Sequence, residues 1–267
     1  MYISLPVFLL SFAASPISAA ACTREALLST ASKFIAAVSA GNITSLPLSS
    51  SNFTYQENNK ASTLTRAGGP FAQPLKVDLS RSTADTVACA SYTLIISSSG
   101  SKPYVIATQL RHGPETDPDP STITLIDTIA ATTGSLFFNA KKTLEYVQKE
   151  TWTPIAAESD RPSRELLRKV GDAYLDMWTD AQAAGTIPWG TDCERVEGSQ
   201  YTRPCGANVP KGGSKTNNVM RRYVIDEVIG SVDVLCSFDA LGNPKYPDSH
   251  EIRVEGGKVK YVHTVTV

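Results

Sequence analysis

Two segments of the chain place apolar residues at the spacing of an amphipathic helix. The first covers about residues 23–40, with Thr23 as its predicted N-cap. Its apolar stripe consists of Leu27, Leu28, Ala31, Phe34, Ile35 and Val38. The second starts near Pro162, after the candidate caps Ser159 and Asp160. Its stripe consists of Leu166, Leu167, Val170, Ala173, Tyr174 and Met177, each 139 positions after its counterpart in the first helix.

The segments that follow the two helices resemble each other and occur in the same order. Both runs alternate in the way that predicts β-strands. The matching pairs are 86–92 with 233–238, each with a cysteine in the same place, 109–111 with 251–253, and 125–129 with 261–265. Together with the two helices, these pairs make four matching segments in one order. They indicate an internal duplication, although a helix followed by strands is common in itself.

A helix followed by long antiparallel strands is typical of an α+β fold. In the last strand, Tyr261, His263 and Val265 share one face, and neither face of that strand is fully polar. We therefore expect each helix to pack on a curved antiparallel sheet whose concave side forms a pocket. The predicted organisation is a first domain over 22–150, a linker over 151–162 and a second domain over 163–267.

The N-terminal residues have the pattern of a secretory signal peptide. An apolar run over 5–14 is followed by Ser15 and Pro16, and then by three alanines at 19–21. The run is too short to span a bilayer. We therefore predict cleavage after residue 21, entry into the secretory pathway, and a protein that is secreted or lumenal and not held in a membrane.

Five cysteines follow the predicted leader, so an oxidising compartment pairs four and leaves one over. A local bridge between Cys193 and Cys205 and a bridge from Cys22 to Cys89 are our preferred pairs, with Cys236 as a buried free thiol. The sequence alone does not fix this connectivity. The two sequons beginning at Asn42 and Asn52 are predicted glycosylation sites.

Composition and motifs exclude several classes of protein. There are 25 basic and 26 acidic residues, so the chain has no basic field for a nucleic acid. Hydrophobic residues make up 42%, which is enough for a globular core. The chain lacks a nucleophile elbow, a P-loop and a paired-histidine zinc motif. We expect no cofactor and no metal.

Four stretches of the sequence resemble a family of secreted fungal proteins over nearly the whole predicted mature chain. They are 81–92, 187–193, 221–227 and 248–257. The architecture resembles the cone-shaped (cystatin-like) fold of nuclear transport factor 2 (NTF2), ketosteroid isomerase and scytalone dehydratase, here in two tandem NTF2-like domains. Some ketosteroid-isomerase-like proteins of this kind belong to fungal polyketide clusters. There they are implicated in coupling maleic-anhydride monomers into maleidrides, and the resemblance implies such a role.

Acid–base chemistry in an apolar cup needs a proton acceptor and a donor that stabilises an enolate. The second half offers His263 as base. Its carboxylate partner could be Asp226, Glu227 or Asp233, and Tyr223 or Tyr261 could be the donor. Asp226 and Tyr223 are the preferred catalytic partners. Candidate substrate-binding residues are Tyr261, Arg222 and Glu227. A histidine bonded within the core and a surface acidic pair are the alternative interpretations. Asp127 occupies the position of His263 in the first half, which suggests that one half has become structural.

The sequence favours a cofactor-free isomerase or cyclase that assists deprotonation and coupling of maleic-anhydride monomers. Two alternatives stay open: a secreted carrier with a hydrophobic cup, and a host-interaction protein without a small-molecule site. The expected partner is a small apolar substrate or ligand, with a pathway protein or a second copy of the chain as further possibilities.

Overall fold

The computed structural model of the protein describes residues 22–113, 119–242 and 245–267. The predicted signal peptide, residues 1–21, lies outside the described residues. The helices are α1 (Arg24–Ala40), α2 (Ala140–Val147), α3 (Arg164–Asp176) and α4 (Ala183–Thr186). The strands of the first half are β1 (Thr54–Glu57), β2 (Lys60–Ala61), β3 (Leu79–Asp85), β4 (Ala90–Ser97), β5 (Tyr104–His112) and β6 (Ile123–Thr132). Those of the second half are β7 (Trp189–Glu197), β8 (Gln200–Thr202), β9 (Val219–Asp226), β10 (Ser231–Phe238), β11 (Tyr246–Glu255) and β12 (Lys258–Thr266).

The two halves form two six-stranded sheets with the same strand order. The first sheet runs β2-β1-β6-β5-β4-β3 and the second runs β8-β7-β12-β11-β10-β9. In each sheet one pair is parallel, β1 with β6 and β7 with β12, and the other neighbours are antiparallel. The prediction of antiparallel sheets is therefore wrong for these two pairs. The fold is therefore mixed α+β and consistent with two tandem domains. The matching topology is what a duplication predicts.

The helices match with a shift of 140 residues, one more than the predicted 139. The N-cap of α1 is Thr23, as predicted, but the N-cap of α3 is Ser163, whose side chain accepts the Leu166 N–H. Ser159 and Asp160 belong instead to a short 3-10 turn, so their prediction as caps was wrong. With the caps aligned, buried Leu27 corresponds to buried Leu167.

The strand registers confirm two of the predicted matches and correct the third. Gln109 pairs with Asp127 and Glu251 pairs with His263, so Asp127 and His263 are equivalent. The match between 86–92 and 233–238 was wrong. Cys89 lies in the turn before β4 with φ 45°, whereas Cys236 lies inside β10. The equivalent hairpin closures are Asp85–Ala90 and Asp226–Ser231.

The apolar core is divided into layers. One cluster packs α1 against the first sheet, around Phe34 and Ile106. A second packs α3 against the second sheet, around Tyr174 and Val262. A third cluster contains residues of both halves, including Leu235, and lies between the two sheets. The order is therefore helix, sheet, sheet, helix, and each sheet has one face against its own helix and one against the other half.

The cysteine pairing is the predicted one. Cys22 bonds to Cys89, Cys193 bonds to Cys205, and Cys236 is a buried free thiol. Two disulfides fit a protein of an oxidising compartment.

The asparagines of both sequons, Asn42 and Asn52, are exposed, and their glycosylation stays a prediction. Within the described ranges, none of the helices has the length and apolar character needed to cross a membrane.

Candidate functional site

Two equivalent aspartates tie the halves together at the ends of β3 and β9. Asp85 is fully buried and accepts two hydrogen bonds of 2.8 Å from the Arg164 guanidinium at the start of α3. It also accepts the Val87 and Ala88 N–H groups of its own turn and the Ile225 N–H of the other half. A buried carboxylate with a bidentate arginine and three N–H donors is a structural anchor.

Asp226, a predicted catalytic residue, holds the corresponding position in the second half. It accepts the Val228 and Ile229 N–H groups of its turn, the Ala84 N–H of the first half, and a 2.9 Å ion pair from Arg24 at the start of α1. Burial raises the pKa of Asp226, against the lowering effect of these donors. Its partners join the two halves, and His263 is not among them.

His263, the predicted base, lies in a charged cluster between the two sheets. Its Nε2 is 2.7 Å from Glu150 Oε1, and its Nδ1 is 3.4 Å from Glu251 Oε2 and 3.0 Å from the Arg81 guanidinium. Arg81 also bonds to Glu251 and lies 3.6 Å from the ring centroid of Trp152. The face of β12 that carries His263 therefore meets the other half and a polar network, and does not face an apolar cavity as the sequence suggested.

The charges around His263 change its titration. Burial alone lowers its pKa, but the Glu150 carboxylate, together with the hydrogen bond to Glu251, outweighs burial and raises the pKa above the ordinary value. Because the folded pKa is higher than the unfolded one, the stabilisation is complete below the unfolded pKa of about 6.5 and is lost as the pH rises through the folded pKa.

We therefore expect the stability advantage of the natural protein over a His263→Gln variant to shrink as the pH rises. Urea unfolding of both proteins at several pH values between about 5.5 and 9 measures it. Parallel pH profiles would show that the charged histidine contributes nothing to folding.

The other predicted site residues are distributed over different places. The Tyr223 hydroxyl donates to Asp172 on α3 at 2.5 Å, and burial together with this bond raises its pKa to about 12. Tyr223 thus faces the helix side of the sheet, opposite to His263. Because Tyr223, Asp226 and His263 contact different parts of the molecule, the structure does not bring the predicted trio to one site.

The predicted substrate-binding residues also make structural contacts. Tyr261 stacks on Trp152 with ring centroids 5.6 Å apart. Arg222 bonds to Asp127 at 2.6 Å, and Glu227 accepts the backbone N–H of Arg164 at 2.8 Å. These three side chains therefore lie at separate contacts.

A cavity of about 270 Å³ lies on the other face of the second sheet, towards α3. Its apolar lining consists of Leu136, Phe137, Tyr174, Trp178, Phe238 and Leu241. Its polar lining consists of Glu197, Asp248, His250, Thr264 and Thr266. A mainly apolar cavity with a few convergent polar groups is the usual form of a small-molecule site.

A larger groove of about 540 Å³ runs beside the linker and the β11–β12 turn. Its buried cation, Arg253, donates to the carbonyls of Thr151 and Thr153 and pairs with Glu255. Because these contacts hold the linker on the sheet, we assign the groove a structural role and take the smaller cavity as the candidate site.

The cavity contains a buried histidine–aspartate pair on β11. His250 Nε2 lies 2.9 Å from Asp248 Oδ2, and His250 is only 2% exposed. Asp248 Oδ1 is fixed by the Ser249 N–H at 2.8 Å and the Thr266 hydroxyl at 3.0 Å. Among the described residues, neither ring nitrogen of His250 nor Asp248 Oδ2 has a partner in regular hydrogen-bond geometry. Such buried atoms are costly unless something bonds to them, and both residues line the cavity, where a ligand could supply the missing bonds.

Tyr174 brings a hydroxyl to the same cavity from α3. Its ring lies 5.2 Å from that of His250, and the hydroxyl donates to Glu197 Oε1 at 3.2 Å. Burial, reinforced by Glu197, raises the pKa of Tyr174 well above the ordinary value. The hydroxyl therefore stays protonated and can donate a hydrogen bond over the whole physiological pH range.

Cys236 lies behind the pair and adds a third possible metal ligand. Its Sγ, a carboxylate oxygen of Asp248 and a ring nitrogen of His250 lie within 4.8 Å of one another. Thiolate, imidazole and carboxylate are ligands that zinc accepts. Burial raises the pKa of the Cys236 thiol well above its ordinary value, so the thiol is neutral. The residues can thus act as an acid–base pair without a metal, and chelation tests the other possibility.

The first half keeps a glutamate and a threonine at equivalent positions but lacks the histidine, aspartate and tyrosine of the cavity. Glu57 pairs with Thr128 as Glu197 pairs with Thr264. The strand pairs Ile95–Ile106 and Cys236–Asp248 correspond, so Ile106 replaces Asp248. By the same register Thr108 replaces His250. The helix alignment makes Phe34 the equivalent of Tyr174. Phe34 packs edge-on against Phe71 with ring centroids 5.6 Å apart. At these equivalent positions the first half therefore has no histidine–aspartate pair and no tyrosine hydroxyl.

Sequence reasoning missed Asp248 and His250 although a signal was present. Asp248 and His250 are two positions apart in a strand, so their side chains share one face of the sheet. Glu251, the residue after His250, points to the other face. The search for motifs did not single out His250, because no second histidine follows it at the spacing of a zinc motif. A histidine partnered by a carboxylate in an apolar cavity was predicted, but on a different strand.

The comparison with family models covers the half that contains the cavity. Residues 160–266 match a model described as a domain of unknown function (DUF8021). Every polar residue of the cavity falls within this match. No curated protein matches the chain.

Proposed function

We propose that each half is an NTF2-like unit and that the protein is a cofactor-free proton-transfer enzyme whose site is the second-half cavity. The observation that carries the proposal is the buried Asp248–His250 pair, whose free polar atoms face an apolar cavity. A carrier needs no such pair, because burying unpartnered polar atoms costs free energy without improving the binding of an apolar ligand.

In this mechanism His250 removes a proton from a carbon that a carbonyl group activates. Asp248 Oδ2, 2.9 Å from the imidazole ring, stabilises the imidazolium that forms, and the other carboxylate oxygen is held by Ser249 and Thr266. The negative charge moves to the carbonyl oxygen of the substrate. The Tyr174 hydroxyl gives up its hydrogen bond to Glu197, which keeps its ion pair with Arg195, and donates its one proton to that oxygen. The low polarity of the cavity strengthens both interactions.

The proposed substrates are maleic anhydrides with alkyl substituents, the class that the family resemblance implies. The acidic hydrogen lies on the carbon attached to the ring, activated through the conjugated double bond. A cavity of about 270 Å³ lies just below the usual range for drug-sized ligands, so it holds one such monomer. The site thus supports deprotonation of one monomer, with its partner approaching from outside.

Coupling then balances without a redox partner. The carbanion carbon forms a bond to a ring carbon of the second anhydride, whose double-bond electrons move onto its carbonyl oxygen. The resulting enolate takes the proton back from His250. Nothing is oxidised or reduced, which agrees with the expectation that no cofactor is needed.

Deuterium incorporation tests this proposal. The protein is incubated in D₂O with a dialkylmaleic anhydride, and exchange at the carbon attached to the ring is followed by NMR. We expect the rate of deuterium exchange to be proportional to the protein concentration and to be unchanged by a chelator. Quenching of Trp178 fluorescence measures binding separately, because Trp178 lines the cavity. The quenching should disappear in a Trp178→Phe variant and persist in a Trp152→Phe variant.

Three outcomes would overturn the proposal. Binding without exchange would identify a carrier. Exchange that a chelator abolishes would identify a metal site of Cys236, Asp248 and His250. If the protein neither binds this class of compound nor catalyses deuterium exchange on it, both the proposed substrate class and the proposed enzymatic activity are wrong.

A further inference from the structure

We infer that Phe137, which the first half contributes to the mouth of the second-half cavity, selects substrates whose unbranched alkyl chain leaves the cavity between Phe137 and Leu241. The inference rests on the proposed function, since it assigns an orientation to the substrate of that site.

The cavity has a polar floor and an apolar mouth. Asp248 and His250 are buried almost completely, whereas Phe137 is 55% exposed and Leu241 is 41% exposed. All four residues line the same cavity. A ligand with a polar head bonded to the floor therefore directs its other end to the two exposed apolar side chains.

The segment that carries Phe137 is fixed to the second half. The Phe137 carbonyl accepts the N–H of Ser199 at 2.9 Å and its hydroxyl at 2.6 Å. Gly198 makes this approach possible, because at φ 58° a Cβ there would lie 3.0 Å from the carbonyl oxygens of both Leu136 and Phe137. The mouth is thus a fixed feature, and the site is incomplete without the first half.

Phe137 itself has a backbone conformation that a phenylalanine seldom adopts. Its φ is 50°, in the left-handed region, and its large apolar side chain is mostly exposed. Both features are unfavourable for the free protein. An alkyl chain lying against Phe137 and Leu241 would cover this exposed apolar surface and recover part of the cost.

The substrate class that follows is a compact carbonyl head with a linear chain longer than the cavity. Each additional methylene that contacts the mouth should improve binding by up to about fourfold, the equivalent of burying one methylene group. A branched or charged chain end should lose this gain.

A chain-length series tests the inference. Dialkylmaleic anhydrides with one methyl group and a second chain of increasing length are titrated against Trp178 fluorescence. Phe137→Asn removes the apolar side chain and keeps a residue that tolerates positive φ. We expect this variant to lose most of the gain in affinity that the natural protein shows from the shortest to the longest chain. Val87→Ser, at an exposed apolar residue of the β3–β4 turn, is the matched control and should keep the full series.

The outcomes separate this inference from the proposed function. If the short anhydride binds and exchanges deuterium but affinity does not depend on chain length, or depends on it equally in Phe137→Asn, the inference fails and the enzyme stands. If no anhydride binds to the natural protein, the proposed function fails first.

Discussion

A His250→Gln variant is expected to lose between about 100-fold and 10,000-fold of the deuterium-exchange rate, the range that one general base contributes. Glutamine keeps a polar side chain of similar size in the cavity but cannot take up the proton. Because His250 contacts Tyr174 and Phe238 through its ring, folding of the variant is checked by circular dichroism and by ligand quenching of Trp178.

The comparison with other variants assigns the effect to the cavity. Asp248→Asn should lower the rate less than His250→Gln, because it removes the charge that stabilises the imidazolium and leaves the base. His112→Gln replaces a buried histidine at the end of β5 and should leave the rate unchanged. If His263→Gln abolishes exchange while His250→Gln retains it, the base is the residue between the sheets and the cavity is not the site.

Asp85→Ala is expected to destabilise the protein by about 3–5 kcal/mol, the cost of breaking a buried ion pair by removing one partner. The variant leaves the Arg164 guanidinium and the Val87, Ala88 and Ile225 N–H groups without their acceptor. Since Arg164 and Ile225 belong to the second half, the loss weakens the contact between the halves. Urea unfolding measures the change in the free energy of unfolding.

An exposed ion pair provides the control for this prediction. Asp192 pairs with Arg203, and both side chains are exposed, so Asp192→Ala should cost no more than about 1 kcal/mol. Asp226→Ala should behave like Asp85→Ala, because the two aspartates are equivalent. A cost for Asp85→Ala as small as that for Asp192→Ala would mean that these anchors do not hold the halves together.

The duplication could be recognised in the sequence because it depends on local patterns. Periodicity located both helices, and alternation matched Gln109 with Glu251 and Asp127 with His263. Matching segments by their cysteines failed, since Cys89 serves a disulfide in a turn and Cys236 lies in a strand. The residues that fix the register are the aspartates that close the two hairpins.

The position of the site could not be predicted, because it depends on how the halves pack. Both faces of β12 are buried, one against α3 and one against the first half. The sequence shows that His263 shares a face with Tyr261 and Val265. It does not show whether α3 or the first half covers that face. Arg81 and Glu150, which surround His263, come from distant parts of the chain. Only packing reveals that the cavity lies behind Asp248 and His250.

Hydrogen–deuterium exchange of the backbone, with and without a dialkylmaleic anhydride, tests the central claim that the second half alone has a functional cavity. We expect protection in peptides that cover 174–178, 236–250 and 264–266, together with 136–137 at the mouth. The equivalent first-half peptides around Phe34, Ile95 and Thr108 should exchange as before. Protection of the first-half peptides, or equal protection of both halves, would contradict the account.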